Sequence, residues 1–97
     1  MSKPEFITVT ITAPDPDQLA SICRTLIEER LAACANIDPQ IHSIYRWDGV
    51  IEQRPEALAV VHTRAHLFPD IADLVTKMHP YEVPQLVALP VSTTSSY

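Results

Sequence analysis

The sequence predicts a single α+β domain, residues 1–97, of element order β-α-β-β-α-β. Three observations carry that prediction. Apolar and polar residues alternate near the start of the chain, as in a half-buried strand. Two later stretches repeat apolar residues at helical spacing, and Asp48-Gly49 joins two long extended runs. A chain of 97 residues has room for one hydrophobic core and no second domain.

The elements follow in order. From Glu5 to Thr12, Ile7, Val9 and Ile11 alternate with Phe6, Thr8, Thr10 and Thr12, a strand with one greasy face. Asp15 can cap a helix, Pro16 suits its first position, and Gln18 completes a capping-box spacing. Leu19, Ile22, Cys23, Leu26 and Ile27 continue that helix on one stripe to about Arg30. Ala32 to Trp47 reads as extended, interrupted near Asp38-Pro39 by a bulge or kink. Asp48-Gly49 fits a type I′ turn, whose two central residues need positive φ, and the only glycine of the chain stands there. The return strand runs from Val50 to Thr63, broken at Arg54-Pro55 and apolar on both sides from Ala57 to Val61. A second helix spans roughly His66 to Met78, with Pro69 in its first turn and His79-Pro80 at its end. Pro84 to Pro90 is a last strand with apolar residues on both faces.

This order is a split βαβ arrangement of the ferredoxin-like type, with an extended β2-β3 hairpin. Right-handed crossovers put both helices on one face of the sheet. Strands apolar on both faces need cover on both, and the chain has no residues left to supply the second layer. Another subunit is the expected cover, and the hairpin is the arm to embrace it.

Composition removes several classes of function. A net charge of −5 with seven scattered basic residues gives no clustered footprint for nucleic acid. No apolar run approaches the roughly 20 residues of a membrane span, and Met1 to Glu5 lacks the apolar stretch of a secretion signal. Two cysteines in an otherwise ordinary composition point to reduced thiols in the cytoplasm. One glycine cannot build a glycine-rich phosphate loop.

Three blocks stand out against a plain core: Arg30-Leu31-Ala32-Ala33-Cys34-Ala35-Asn36, Tyr45-Arg46-Trp47, and His79-Pro80-Tyr81-Glu82-Val83-Pro84. In this order they resemble the CutA family, the divalent-cation tolerance proteins, from about Thr12 to Val91. The resemblance implies a cytoplasmic homotrimer that binds divalent metal ions, copper first, or a small ligand at intersubunit clefts. It implies no enzyme and no required cofactor, beyond a copper or zinc ion as bound species.

On that reading Cys34, at the cysteine of the family motif, offers sulfur, Glu56 an oxygen and His79 an imidazole. Tyr45, Trp47 and Tyr81 line the cleft. Each residue also has a plainer role. Cys34 suits a small core position, His79 a helix C-terminus, and Glu56 a solvated strand start. Tyr45 and Trp47 suit cross-strand packing against Glu52 and Val50.

Two other functions compete with this reading. One is a signalling or structural trimer whose cleft binds a regulator or protein partner, because this fold serves many functions. The other is a cysteine hydrolase with Cys34 as nucleophile and His79 as base. It is disfavoured because Cys34 lies within a strand and no glycine shapes an oxyanion turn. The chain departs from the family at three places. His62 stands where lysine usually precedes the threonine, Ile11 replaces a cysteine found in some members, and a terminal helix is expected to be missing after Val91.

Overall fold

The computed structural model describes residues 5–92. Its elements are β1 (Phe6–Ala13), α1 (Pro16–Glu28), β2 (Cys34–Trp47), β3 (Val50–Arg64), a 3-10 turn (Ala65–Leu67), α2 (Phe68–Met78) and β4 (Leu86–Pro90). The sheet is antiparallel in the order β2-β3-β1-β4, as the split βαβ reading requires.

One face of the sheet carries the core. Ile7, Val9, Ile11 and Ala13 of β1 and Ala57, Ala59 and Val61 of β3 are buried against Leu19, Ile22, Cys23 and Leu26 of α1 and Ile71 and Val75 of α2. Burying side chains of this size stabilises the fold by about 1.5–3 kcal/mol for each large aliphatic residue. Asp15 caps α1 as expected, its carboxylate accepting from the Asp17 N–H at 2.9 Å.

The exit from α1 has a less obvious cause. The helix ends at Glu28, and Arg30 takes a left-handed φ of 60°. The Leu31 N–H then reaches back to the Leu26 carbonyl and the Arg30 N–H to the Ile27 carbonyl, the paired bonds of a Schellman cap. An arginine does here what glycine usually does, at a cost of about 1–2 kcal/mol. Leu31 packs on the core in return. The Thr63 hydroxyl, itself buried, donates to the Leu31 carbonyl at 2.6 Å and ties this turn to β3. The turn therefore takes up Ala32 and Ala33, and β2 begins at Cys34.

The hairpin turn forms as the sequence predicts, with Asp48 at φ 52° and Gly49 at φ 81° and Trp47 facing Val50. The expected break at Arg54-Pro55 is not found, for β3 is continuous. Pro55 lies past the last pairing of β1 with β3, Ala13 with Ala57, so its missing N–H removes no bond to β1. The irregularity sits in β2 alone. Asp38 faces Leu58 and Ile41 faces Glu56, so Pro39 and Gln40 together oppose Ala57. The Asp38 carboxylate accepts from the Gln40 N–H at 3.1 Å and holds this bulge. The last strand starts at Leu86, two positions after the expected Pro84, because residues 79–83 are folded into a turn of their own. The expected loss of a terminal helix falls largely on residues 93–97, outside the described residues.

Candidate functional site

Among the described residues, no helix lies over the other face of the sheet. Alternation and register place Thr8, Thr10 and Thr12 of β1 there, with Leu58, Val60 and His62 of β3. Val87 and Leu89 of β4 and Cys34, Asn36 and Asp38 of β2 share it. Leu89 is 52% exposed and Val87 39%. Among the described residues no helix packs over these apolar groups.

The bulge in β2 decides which residues join this face. Because it adds one residue, the phase of β2 inverts past Gln40. Cys34, Asn36 and Asp38 before it, and Ile41, Ser43, Tyr45 and Trp47 after it, all point to the open side. Their partners on the arm are Glu56, Arg54, Glu52 and Val50. Without the bulge, Tyr45 and Trp47 would point to the side opposite Cys34. The arm is apolar on both sides near its tip, where Trp47 is 69% and Ile51 65% exposed.

The turn after α2 meets this face at one end. His79 is buried, at 7% exposure, and both ring nitrogens have backbone partners. Nε2 lies 2.7 Å from the Thr12 carbonyl oxygen, and Nδ1 accepts from the Tyr81 N–H at 3.0 Å. A carbonyl requires a donor and an N–H requires an acceptor, so the ring is the neutral tautomer with its proton on Nε2. The ring thus clamps its own turn to the end of β1. Tyr81 lies tilted beside it, ring centroids 5.0 Å apart, and its hydroxyl donates to Glu56 Oε2 over 3.4 Å. Burial and then the Glu56 carboxylate raise the Tyr81 phenol above the usual tyrosine range, while Arg54 opposes them weakly. Ionising Tyr81 would set a phenolate against Glu56. The contact is therefore kept below the ordinary tyrosine range and lost as pH rises through the raised value.

The predicted residues fall into separate groups within one chain. Glu56 and Tyr81 meet, with His79 behind Tyr81 as its support. Cys34 is elsewhere. Its partner on β3 is His62, six positions from Glu56, which is about 20 Å along a strand. Among the described residues no group of three or more His, Cys, Asp or Glu side chains could hold a metal ion within one chain. Tyr45 and Trp47 share the face of Glu56, farther out on the arm. Cys23 is core, as its place on the α1 stripe predicts, and burial pushes its thiol up to about 11. The groove between α1 and β2, lined by Cys23, Arg24, Ile27, Ala35 and Ile37 among others, contains none of the predicted site residues.

Sequence reasoning set His62 aside because its spacing to His66 marks no helical pair. The signal that finds it is register: counting along β2 and β3 from the Asp48-Gly49 turn, with one residue added for the bulge, brings His62 opposite Cys34.

An open sheet face, a long arm and a clamped His-Pro-Tyr turn define the surface of this α+β protein. Residues 7–97 match the family model described as CutA1 divalent ion tolerance protein. The chain is 46% identical to a Thermus thermophilus protein named divalent-cation tolerance protein CutA, over 87% of this chain and 82% of that one. It is also 46% identical to the human protein named CutA, over 84% of this chain but only 45% of the human sequence. The crystal structure of CutA1 from Shewanella sp. SIB1 superposes with a TM-score of 0.92 at 39% identity, covering 96% of this chain and 87% of that one. This chain therefore belongs to the CutA1 divalent ion tolerance family. These names describe tolerance of divalent ions and not a chemical reaction. Among the described residues, no helix is long and apolar enough to cross a membrane.

Proposed function

We infer that this chain works in the cytoplasm as a homotrimer that binds a divalent metal ion, copper before others, or a small ligand where chains meet. The observation that carries this reading is the open sheet face. Leu58, Val60, Val87 and Leu89 lie on it with no helix over them among the described residues, and the arm beside it exposes Trp47, Val50 and Ile51. Apolar surface of this extent marks an interface, and a closed ring of identical chains is the simplest assembly that buries it. Two free thiols, with no disulfide between them, agree with a reducing compartment.

The same geometry governs the ligand set of Cys34, Glu56 and His79. Cys34 and Glu56 are too far apart in one chain to share an ion, so a site that uses both draws them from different protomers. His79 could join only by giving up its bond to Thr12 or to Tyr81. Tyr45, Trp47 and Tyr81 supply aromatic walls for a small ligand beside Glu56. A signalling trimer whose cleft takes a regulator would use these same walls. A cysteine hydrolase gains no support, since His79 belongs to the turn near Glu56, far from Cys34.

Isothermal titration of the tag-free protein tests the metal reading. Copper or zinc is expected to bind and magnesium not, because sulfur and imidazole favour the softer ions while magnesium wants an oxygen shell. Binding is expected to weaken below about pH 6, where protons compete for thiol and imidazole ligands. Equal binding of magnesium and copper would contradict it.

A further inference from the structure

We propose that Cys34 and His62 form a two-residue binding site for a thiophilic metal ion, zinc or copper(I), at the edge of the open sheet face. The pair is distinct from Glu56 and His79, and it rests on the reading of this chain as a metal-binding protein.

The two residues are direct cross-strand partners on adjacent antiparallel strands. Directly opposed residues have Cβ atoms about 4.5–5.5 Å apart, with side chains on the same face. A zinc ion bonds sulfur at about 2.3 Å and imidazole nitrogen at about 2.0–2.1 Å, so one ion fits between side chains rooted at that spacing. Cys34 is exposed, and β2 is an edge strand, so an ion can reach the thiol without opening the core. Asn36, next on the same face of β2, holds its Oδ1 3.9 Å from the Cys34 sulfur and can lend an oxygen.

Sulfur, nitrogen and amide oxygen on one rigid patch suit zinc or copper(I) and not magnesium or calcium. Binding replaces the thiol proton, which leaves to solvent, and no oxidant or reductant is needed. His79 cannot take the place of His62 here. Its two nitrogens are bonded to backbone, and its turn lies at the Glu56 end of the sheet.

Cobalt(II) is the probe, since it reports a thiolate ligand by a near-ultraviolet charge-transfer band and can be displaced by zinc. The full-length protein is expected to show that band, saturating at one ion per chain. Cys34→Ser should abolish it. His62→Lys should weaken cobalt and zinc binding by about tenfold or more. His66→Ala, at an exposed position in the 3-10 turn and outside every proposed ligand set, should leave both affinities unchanged. Far-ultraviolet circular dichroism and the mass in solution should match the parent protein in every variant, which separates loss of a ligand from loss of fold. Unchanged affinity in His62→Lys, or no charge-transfer band in the parent protein, would overturn the pair. A loss of affinity in Glu56→Gln with none in His62→Lys would favour the shared cleft over the pair. A surviving cobalt site in a protein that proves monomeric would uphold the pair while the trimeric cleft fails.

Discussion

Val60→Glu should break the assembly into single chains. Val60 sits in the middle of the open face, flanked across the sheet by Thr10 and Asn36. Val87 lies one strand further, on the other side of Thr10. Its side chain points away from α1 and α2, so the substitution leaves the helix-side core intact. In a monomer the carboxylate stands in water at little cost. In a trimer that covers this face, it would be desolvated among valines, leucines and threonines with no basic partner on that row. An unpaired buried charge costs several kcal/mol, about 3–5 when no partner is present, and a cyclic assembly carries that cost at every interface. Light scattering should give one chain mass for the variant, with an unchanged far-ultraviolet spectrum. A variant that keeps the mass of the parent protein would place Val60 outside any interface.

His79→Ala should cause the largest loss of stability among changes outside the helix-side core. The ring bridges two backbone groups, the Thr12 carbonyl and the Tyr81 N–H. Removing it takes a partner from both groups and leaves a hole the size of an imidazole. Each such group costs about 1–3 kcal/mol when desolvated, so a total near 3 kcal/mol is expected in urea unfolding. Tyr81 should also drift from Glu56, because its position is set by the same clamp. A loss below about 1 kcal/mol would mean that the turn is held by other contacts.

Most of the fold was legible because its signals are local. Asp15-Pro16 opens a helix, Asp48-Gly49 closes a hairpin, and the alternation from Ile7 to Ile11 marks a half-buried strand. The apolar character of both sheet faces was also legible, since Ala57 to Val61 leaves no polar side. Two local features were hidden. Arg30 in the left-handed conformation follows from Leu31 packing on the core and from Thr63 holding its carbonyl, neither of which shows in the segment itself. Pro55 reads as a break, yet it lies where β3 has lost β1 as a neighbour.

The site was less legible, because it depends on register. Cys34, Glu56 and His79 look like one ligand set when only residue types are weighed. Strand spacing separates Cys34 from Glu56, and the tautomer imposed on His79 by two backbone partners closes its ring within the chain. The same spacing brings His62 opposite Cys34. The bulge at Pro39-Gln40 is the pivotal detail. The proline signalled it, but its effect, placing Tyr45 and Trp47 on the face of Cys34, appears only once the pairing is known.

The proposed assembly depends on the open sheet face being an interface between copies of this chain. Multi-angle light scattering of the tag-free native protein across micromolar concentrations tests it most directly. Three chain masses, unchanged on dilution, is the predicted result; a stable single-chain mass at those concentrations would contradict it and remove the shared cleft with it.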